Sequence, residues 1–234
     1  MTRALAADRR PLARHDDGTL VIPAAGTEPE KQCWRTPGWA FAPLMEEFRF
    51  DVDVCASPEN ALAHRYITRE DNALAMPWSG AHRVRHDIQG WGRSIRAAFL
   101  QPPYSRRVKA CTATCKRCAR GEHVPVPWDY PGTGAFVERG WEQSRAGLTV
   151  VALVETATDT TWWRAAFRRA DEVRMGLRLK FLRPDGSAGG QPPGGVGLLV
   201  FRPHVPVGGW PQGPRVSLWD PKPGGLVAPR GSVS

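Results

Sequence analysis

The sequence has no apolar run long enough to cross a membrane, so a membrane-spanning protein is not indicated. Its first residues, MTRALAADRRPLARHDDG, carry charges where a signal peptide would be apolar, and we expect a cytoplasmic protein with no membrane partner. The five cysteines are an odd number without an export signal, which argues against a disulfide framework. No internal repeat is visible.

What is abundant is positive charge and tryptophan. The 234 residues include 32 Lys and Arg against 23 Asp and Glu, a formal charge of +9, and ten tryptophans. This balance favours a polyanionic partner such as nucleic acid, although it also serves solubility. Hydrophobic residues make up 41% of the chain, which is ordinary for a globular protein able to bury a core.

Composition divides the chain into three parts. Residues 1–31 are polar with no apolar period and are predicted to form a disordered N-terminal arm. Residues 204–234 are rich in proline and glycine and are predicted to form a tail without a core of its own. The body, residues 32–203, has the size of one α/β domain, interrupted by a Cys/His-rich insertion at 106–132.

Within the body, helical and strand patterns alternate. Thr36 is predicted to cap a helix with Pro37 at its first position, and apolar residues follow at helical spacing. The clearest strands are the continuous apolar runs within FRFDVDVCA, AAFL and LTVVALV, followed by two late strands in EVRMGLRLKF and VGLLVF. This alternation predicts an α/β fold with a mostly parallel sheet and an antiparallel pair at its C-terminal end.

Two polar segments, DVDVCAS and QPPYS, follow predicted strands and are expected to face one pocket at the carboxyl edge of the sheet. In the second, Pro102 and Pro103 fix a rigid corner beside Gln101 and Tyr104. The Gln101 side-chain oxygen and the Pro102 carbonyl are suited to accept the two hydrogens of a planar ring amine. Tyr104 would stack on a base flipped out of a duplex. An ordinary Pro-Pro loop is the alternative.

The segments WRTP (34–37), FDVDVCASPENALAHRYITREDNAL (50–74), QPPYS (101–105), GWEQSRAGLTVVALV (140–154), TDTTWW (158–163) and LRLKF (177–181) occur in one order over about 170 residues. This ordered set resembles the phage-type DNA N6-adenine methyltransferases (Dam-type). The resemblance implies a Rossmann-like class I fold, S-adenosyl-L-methionine as methyl donor, double-stranded DNA as substrate, and the host cell cytoplasm if the protein is phage-encoded.

The resemblance also implies roles for individual residues. Gln101, Pro102, Pro103 and Tyr104 match the catalytic tetrapeptide of the family. The positions that match its cofactor-binding elements are Trp34, Thr36, Pro37, Asp53, Cys55, Ala56 and Asp71. For Asp53 and Asp71, a solvated turn or a helix cap is the alternative.

This sequence departs from the family pattern twice. Gln101 stands where the family has Asp or Asn, and the turn DVDVCAS lacks the usual Gly-x-Gly. Because glutamine adds a methylene, two alternatives stay open beside adenine methylation. One is a catalytically weakened, zinc-stabilised DNA-binding protein, and the other is methylation of another planar amine such as cytosine N4.

The insertion contains a candidate zinc site. Cys111, Cys115, Cys118 and His123 have the spacing of a Cys3His site, in which Cys115 and Cys118 form a Cys-x2-Cys turn. Basic residues around them would meet DNA phosphates. Free thiols in a basic loop, or a zinc staple without a DNA role, are the alternatives.

Overall fold

An eight-stranded mixed sheet with helices on both faces organises the protein. The structure is a computed structural model that describes residues 34–86, 94–104, 116, 120, 131–176, 178–183, 185–192, 194–206 and 209–220. The strands are β1 (Val52–Val54), β2 (Arg65–Ile67), β3 (Arg83–Val84), β4 (Ala97–Leu100), β5 (Thr149–Glu155), β6 (Glu172–Gly176), β7 (Val196–Phe201) and β8 (Arg215–Trp219). The helices are α1 (Gly38–Phe48), α2 (Thr133–Arg145) and α3 (Thr161–Arg169), with a 3-10 helix at Trp78–Gly80.

The strand order is β3-β2-β1-β4-β5-β7-β6-β8. Strands β2, β1, β4 and β5 are parallel neighbours, whereas β3 and β7 run opposite to the strands beside them. The predicted α/β class, the mostly parallel sheet and the antiparallel pairing of the late strands β6 and β7 are therefore confirmed.

Alternate residues of the buried strands enter two cores. On one face, Val52, Val54 and Leu100 pack with residues of α2 and α3. On the other, Phe99 and its neighbours pack against α1, whose Phe41 lies edge-on to Phe99 with 5.0 Å between ring centroids. Strands buried on both faces explain the continuous apolar runs that identified them in the sequence.

The start of α1 differs from the prediction. The helix begins at Gly38, its N-cap is Pro37, and no side chain caps it. Thr36 is not the N-cap, because its hydroxyl donates a hydrogen bond to the Gln101 side-chain oxygen instead. The other helix ends follow the sequence signals: Gly147, with φ of +107°, follows α2, and the Thr160 hydroxyl accepts the Trp163 amide at 3.3 Å to cap α3.

The sheet extends beyond residue 203 into the segment predicted to be a tail without a core. Strand β8 pairs in parallel with β6, and Trp219 is only 5% exposed within the α1-side core. Only this one residue of β8 is fully buried. Its alternating apolar residues, Val216 and Leu218, are exposed, so the strand has no buried apolar face and is joined to the sheet by its pairing with β6.

Asp171 ties β8 to the rest of the sheet. Its carboxylate accepts hydrogen bonds from Arg202 and from Arg215, the latter at 3.0 Å. Burial by itself would raise the pKa of Asp171. The hydrogen bonds and positive charges of the two arginines outweigh that effect and hold its pKa below the usual value.

We predict that Asp171→Asn lowers the free energy of unfolding by about 1–3 kcal/mol at pH 7, because two arginines lose the closer of their two charged acceptors and keep only Glu172. A carboxyl whose folded pKa is depressed stabilises the fold above its unfolded pKa and loses this effect as the pH falls through the folded value. In urea unfolding, the difference in free energy of unfolding between wild type and Asp171→Asn should thus be smaller near pH 3 than at pH 7. An equal deficit at both pH values would contradict this assignment.

Several expectations fall outside the described residues. These are the N-terminal arm 1–31 and, apart from residues 116, 120, 131 and 132, the insertion 106–132. Among the helices that the structure describes, none is both long and apolar enough to cross a membrane.

Candidate functional site

An open cleft lies at the carboxyl ends of β1 and β4, with about 540 Å³ of empty space that includes open solvent. The cleft brings together most of the residues that the sequence analysis singled out, namely Trp34, Thr36, Asp53, Cys55, Ala56, Gln101, Pro102, Pro103 and Tyr104. Pro37 and Asp71 are not among the described residues that line it.

Strand register explains why the two polar segments meet. Strands β1 and β4 are parallel neighbours in which Val54 pairs with Leu100. Cys55 and Gln101 are the next residues of the two strands, so they leave the sheet side by side. The prediction that both segments face one pocket is confirmed.

The diproline corner is fixed to the elements around it. The Thr133 hydroxyl, at the start of α2, donates to the Pro103 carbonyl at 2.8 Å. The Tyr104 hydroxyl donates to the Leu153 carbonyl of β5 at 3.1 Å, and its ring lies edge-on to Phe181 with 5.6 Å between centroids. Burial, with a smaller effect from a nearby glutamate, raises the pKa of Tyr104, so its hydroxyl remains a proton donor.

The Gln101 amide is held at both ends. Its Oε1 accepts a hydrogen bond from the Thr36 hydroxyl, and its Nε2 donates to the Trp34 carbonyl at 3.2 Å. A backbone carbonyl can only accept, so the amide nitrogen must face Trp34 and the oxygen must face Thr36. An amide oxygen has two lone pairs, and the second can accept a hydrogen from a ligand.

Asp53, the middle residue of β1, supplies a buried carboxyl group. The residue is 4% exposed, and its Oδ2 accepts the Leu62 amide at 2.8 Å. Burial raises the pKa of Asp53 to about 7, against the opposing effects of the Leu62 amide and the positive charge of Arg85. A cationic ligand group beside Asp53 would therefore favour its ionised form.

The turn after β1 brings the backbone close to the cleft. Cys55 has a φ of +71°, in the left-handed region that glycine adopts most readily. In a turn that lacks the Gly-x-Gly sequence, Cys55 thus adopts a conformation that glycine takes most readily. Burial, followed by the charge of Asp53, raises the pKa of the Cys55 thiol, so it is not a reactive thiolate at neutral pH.

Residues 34–36 close one side of the cleft and are anchored to the loop after β6. Arg35 and Leu182 exchange two backbone hydrogen bonds of 2.8 and 2.9 Å. The Trp34 ring stacks on Phe181, with 6.2 Å between centroids and 22° between planes. A Cβ on Gly190 would lie 2.4 Å from the Trp34 ring, which explains a glycine at that position.

The cleft also contains three residues that were not predicted as site residues, Arg35, Asn60 and Leu62. Asn60 could have been found from the segment SPEN directly after the first strand, since its Oδ1 accepts the Ser57 amide at 2.6 Å and shapes that turn. Leu62 donates its backbone amide to Asp53, and a backbone contact of this kind cannot be predicted from a side-chain pattern.

Asp71 already has partners within the protein. Its carboxylate accepts the Thr68 amide and hydroxyl, both at 2.9 Å, and forms an ion pair with Arg83 of β3. These contacts stabilise the turn after β2. A cofactor contact by Asp71 or Pro37 remains a prediction from the resemblance.

The candidate zinc ligands Cys111, Cys115, Cys118 and His123 lie outside the described residues. Within the part of the chain that the structure describes, no group of His, Cys, Asp and Glu side chains is placed to hold a metal ion. Zinc binding remains a prediction from ligand spacing.

The known proteins that this chain resembles are DNA N-6-adenine-methyltransferases. A family model described as DNA N-6-adenine-methyltransferase (Dam) matches residues 24–205. The DNA N-6-adenine-methyltransferase of Haemophilus phage HP1 (strain HP1c1) is 27% identical over 204 residues, covering 85% of this chain and 94% of the phage protein. No solved structure gives a significant match.

Proposed function

The chain belongs to the DNA N-6-adenine-methyltransferase (Dam) family, and from this premise we propose that it transfers a methyl group from S-adenosylmethionine to the N6 amine of adenine in double-stranded DNA. The observation that supports this most is the shared cleft, in which the corner from Gln101 to Tyr104 adjoins the Asp53 turn. The strand order with β7 antiparallel supports a Rossmann-like class I methyltransferase sheet.

The residues of the cleft fit the cofactor. S-adenosylmethionine, when bound, supplies an electrophilic methyl group carried on a sulfonium. The buried Asp53 carboxylate is suited to its α-ammonium group, because a cation restores the ionised form that burial disfavours. The Trp34 ring offers a face to positive charge, and the left-handed turn at Cys55 brings backbone amides within reach.

Gln101 and Pro102 would orient the adenine amine. The free lone pair of Gln101 Oε1 and the Pro102 carbonyl accept its two hydrogens and turn the nitrogen lone pair toward the methyl carbon. The Pro103 carbonyl already accepts the Thr133 hydroxyl, and this bond keeps the corner rigid. Tyr104, held by Leu153, would stack on the extruded base.

The charge of the chain suits a DNA substrate. A formal charge of +9 attracts the phosphate backbone, and the resulting affinity should fall as salt is raised. Extrusion of adenine from the duplex costs a few kcal/mol, which stacking and hydrogen bonds in the cleft would offset.

Purified protein incubated with labelled S-adenosylmethionine and a duplex containing adenine tests the proposal. We expect label in N6-methyladenine after digestion of the DNA to nucleosides. Label in cytosine would instead support N4 methylation. Binding of the cofactor without methyl transfer would support a catalytically weakened DNA-binding protein. That alternative is based mainly on the presence of Gln101.

We further propose that Cys111, Cys115, Cys118 and His123 bind one structural zinc ion, an assignment based on their spacing. Metal analysis of purified protein should give about one zinc per chain. Loss of zinc in a Cys115→Ser variant would support it, and metal-free, folded wild-type protein would contradict it.

A further inference from the structure

We propose that Thr36 is a positioning residue for Gln101, holding the amide so that its remaining lone pair faces the adenine amine. This inference rests on the proposed function and adds to it a role that passes through Gln101 rather than through the cofactor. The juxtaposition that carries it is the hydrogen bond between the Thr36 hydroxyl and Gln101 Oε1, which joins residues 65 positions apart in the sequence.

The Thr36 hydroxyl is available for this bond because of how α1 begins. With Pro37 as the N-cap, no side chain bonds the first amides of the helix, so the hydroxyl is not used in capping. Thr36 is 3% exposed, and a buried hydroxyl needs a partner. Gln101 supplies that partner, and the threonine in turn restricts the amide.

The backbone that carries Thr36 is a fixed reference. The backbone amide and carbonyl of Arg35 both form hydrogen bonds with Leu182. The carbonyl of Trp34 accepts a hydrogen bond from Gln101 Nε2. One end of the Gln101 amide is thus bound by a backbone carbonyl and the other by a side-chain hydroxyl. Acceptance of Nε2–H by the Trp34 carbonyl also polarises the amide and increases the negative charge on Oε1.

The length of glutamine is what makes these contacts possible. An asparagine would place its amide about 1.5 Å closer to the backbone, a difference that exceeds the tolerance of a hydrogen bond. The extra methylene therefore carries the amide to residues 34 and 36. A free glutamine side chain would lose rotational entropy on binding substrate, and a side chain that is already fixed avoids that cost.

Thr36→Val tests the inference, since valine has the same shape and no hydroxyl. We expect kcat to fall about 10- to 100-fold, as for a displacement of a reacting group by about 1 Å, with the Kd for S-adenosylmethionine within about twofold of the wild type. Thr36→Ser retains the hydroxyl and should recover most of the rate. If Thr36 acts through the cofactor instead, Thr36→Val will raise that Kd and leave kcat unchanged, which overturns the inference.

A double-mutant cycle identifies Gln101 as the intermediary. In a Gln101→Ala background, the hydroxyl of Thr36 has no amide to hold, so Thr36→Val should cause no further loss of kcat. An equal loss in both backgrounds would overturn the inference. Melting temperatures of all variants show whether each one is folded.

A readout without activity separates this inference from the proposed function. In nuclear magnetic resonance spectra, the side-chain amide hydrogens of Gln101 should exchange slowly in wild type and Thr36→Ser, and faster in Thr36→Val. Slow exchange in all three would overturn the inference even if adenine is methylated. If the wild type transfers no methyl group to adenine, the proposed function fails, and the exchange rates still decide whether Thr36 holds Gln101.

Discussion

Replacing Gln101 with alanine is expected to lower methyl transfer to adenine at least about 100-fold while leaving the Kd for S-adenosylmethionine almost unchanged. The side-chain oxygen is one of two acceptors that would hold the amine, and loss of a single fixed hydrogen-bonding group at a reacting centre costs about 10²–10³ in rate. Cofactor binding should survive because Asp53 keeps its hydrogen bond to the Leu62 amide and Cys55 keeps its backbone conformation.

Gln101→Asn refines this prediction. The shorter side chain keeps an amide but loses contact with Thr36 and Trp34, so we expect about a tenfold lower rate, between wild type and alanine. Asparagine is common at this position in the family that the sequence resembles. A large gain in rate would therefore show that the native glutamine is poorly placed, and would contradict the role given to Thr36.

The matched control is Gln212→Ala. Gln212 is exposed, lies in the turn before β8 and has no place in the cleft. Its replacement should change neither the rate nor the cofactor Kd. If Gln101→Ala and Gln212→Ala have the same activity, the diproline corner does not orient the substrate through its first residue.

Asp53→Asn is expected to have two large and opposite effects. The melting temperature of the cofactor-free protein should rise at pH 8, while the affinity for S-adenosylmethionine should fall at least about tenfold. Asparagine fits the same space and its side-chain oxygen can still accept the Leu62 amide. It carries no charge that burial would penalise.

The expected rise in stability follows from the pKa of Asp53, which burial raises from 3.8 to about 7. Below 3.8 the carboxyl is protonated in both the folded and the unfolded chain. Between pH 4 and 7 the unfolded chain loses this proton and the folded chain keeps it, so the wild type loses stability as the pH rises. The advantage of Asp53→Asn should thus be absent near pH 4 and fully present at pH 8.

For a chain of this size each kcal/mol corresponds to about 2–4 °C, so the expected gain is several degrees in a thermal scan. Wild-type affinity for S-adenosylmethionine should rise between pH 6 and 8 as Asp53 ionises, and the variant should lack this dependence. Asp51→Asn, directly before the same strand, is the control and should leave the affinity for S-adenosylmethionine unchanged. If Asp53→Asn is more stable but binds S-adenosylmethionine as tightly as the wild type, Asp53 does not contact the cofactor.

The parts of the site that could be predicted are those fixed by strand order and local sequence. Each polar segment directly follows a continuous apolar run, and parallel strands bring such ends to one edge of a sheet. The prediction of a shared cleft therefore needed only the assignment of the strands β1 and β4. The resemblance to a methyltransferase family, which the family match confirms, added the chemistry.

The parts that escaped prediction depend on contacts between residues distant in the sequence. The segment Thr36-Pro37 has the composition of a helix start, yet the hydroxyl bonds Gln101, because the chain before α1 crosses the carboxyl edge of the sheet. Asp71 follows a strand, and its ion pair with Arg83 of the adjoining strand joins residues 12 positions apart. Neither partner could be identified from local patterns.

The most direct test of the central claim is the content of N6-methyladenine in DNA from cells that lack adenine methylation of their own and express this protein. We expect N6-methyladenine in cells that express the wild type and almost none in cells that express Gln101→Ala at the same level. Equal amounts in both, or none with a folded wild-type protein that binds S-adenosylmethionine, would contradict it.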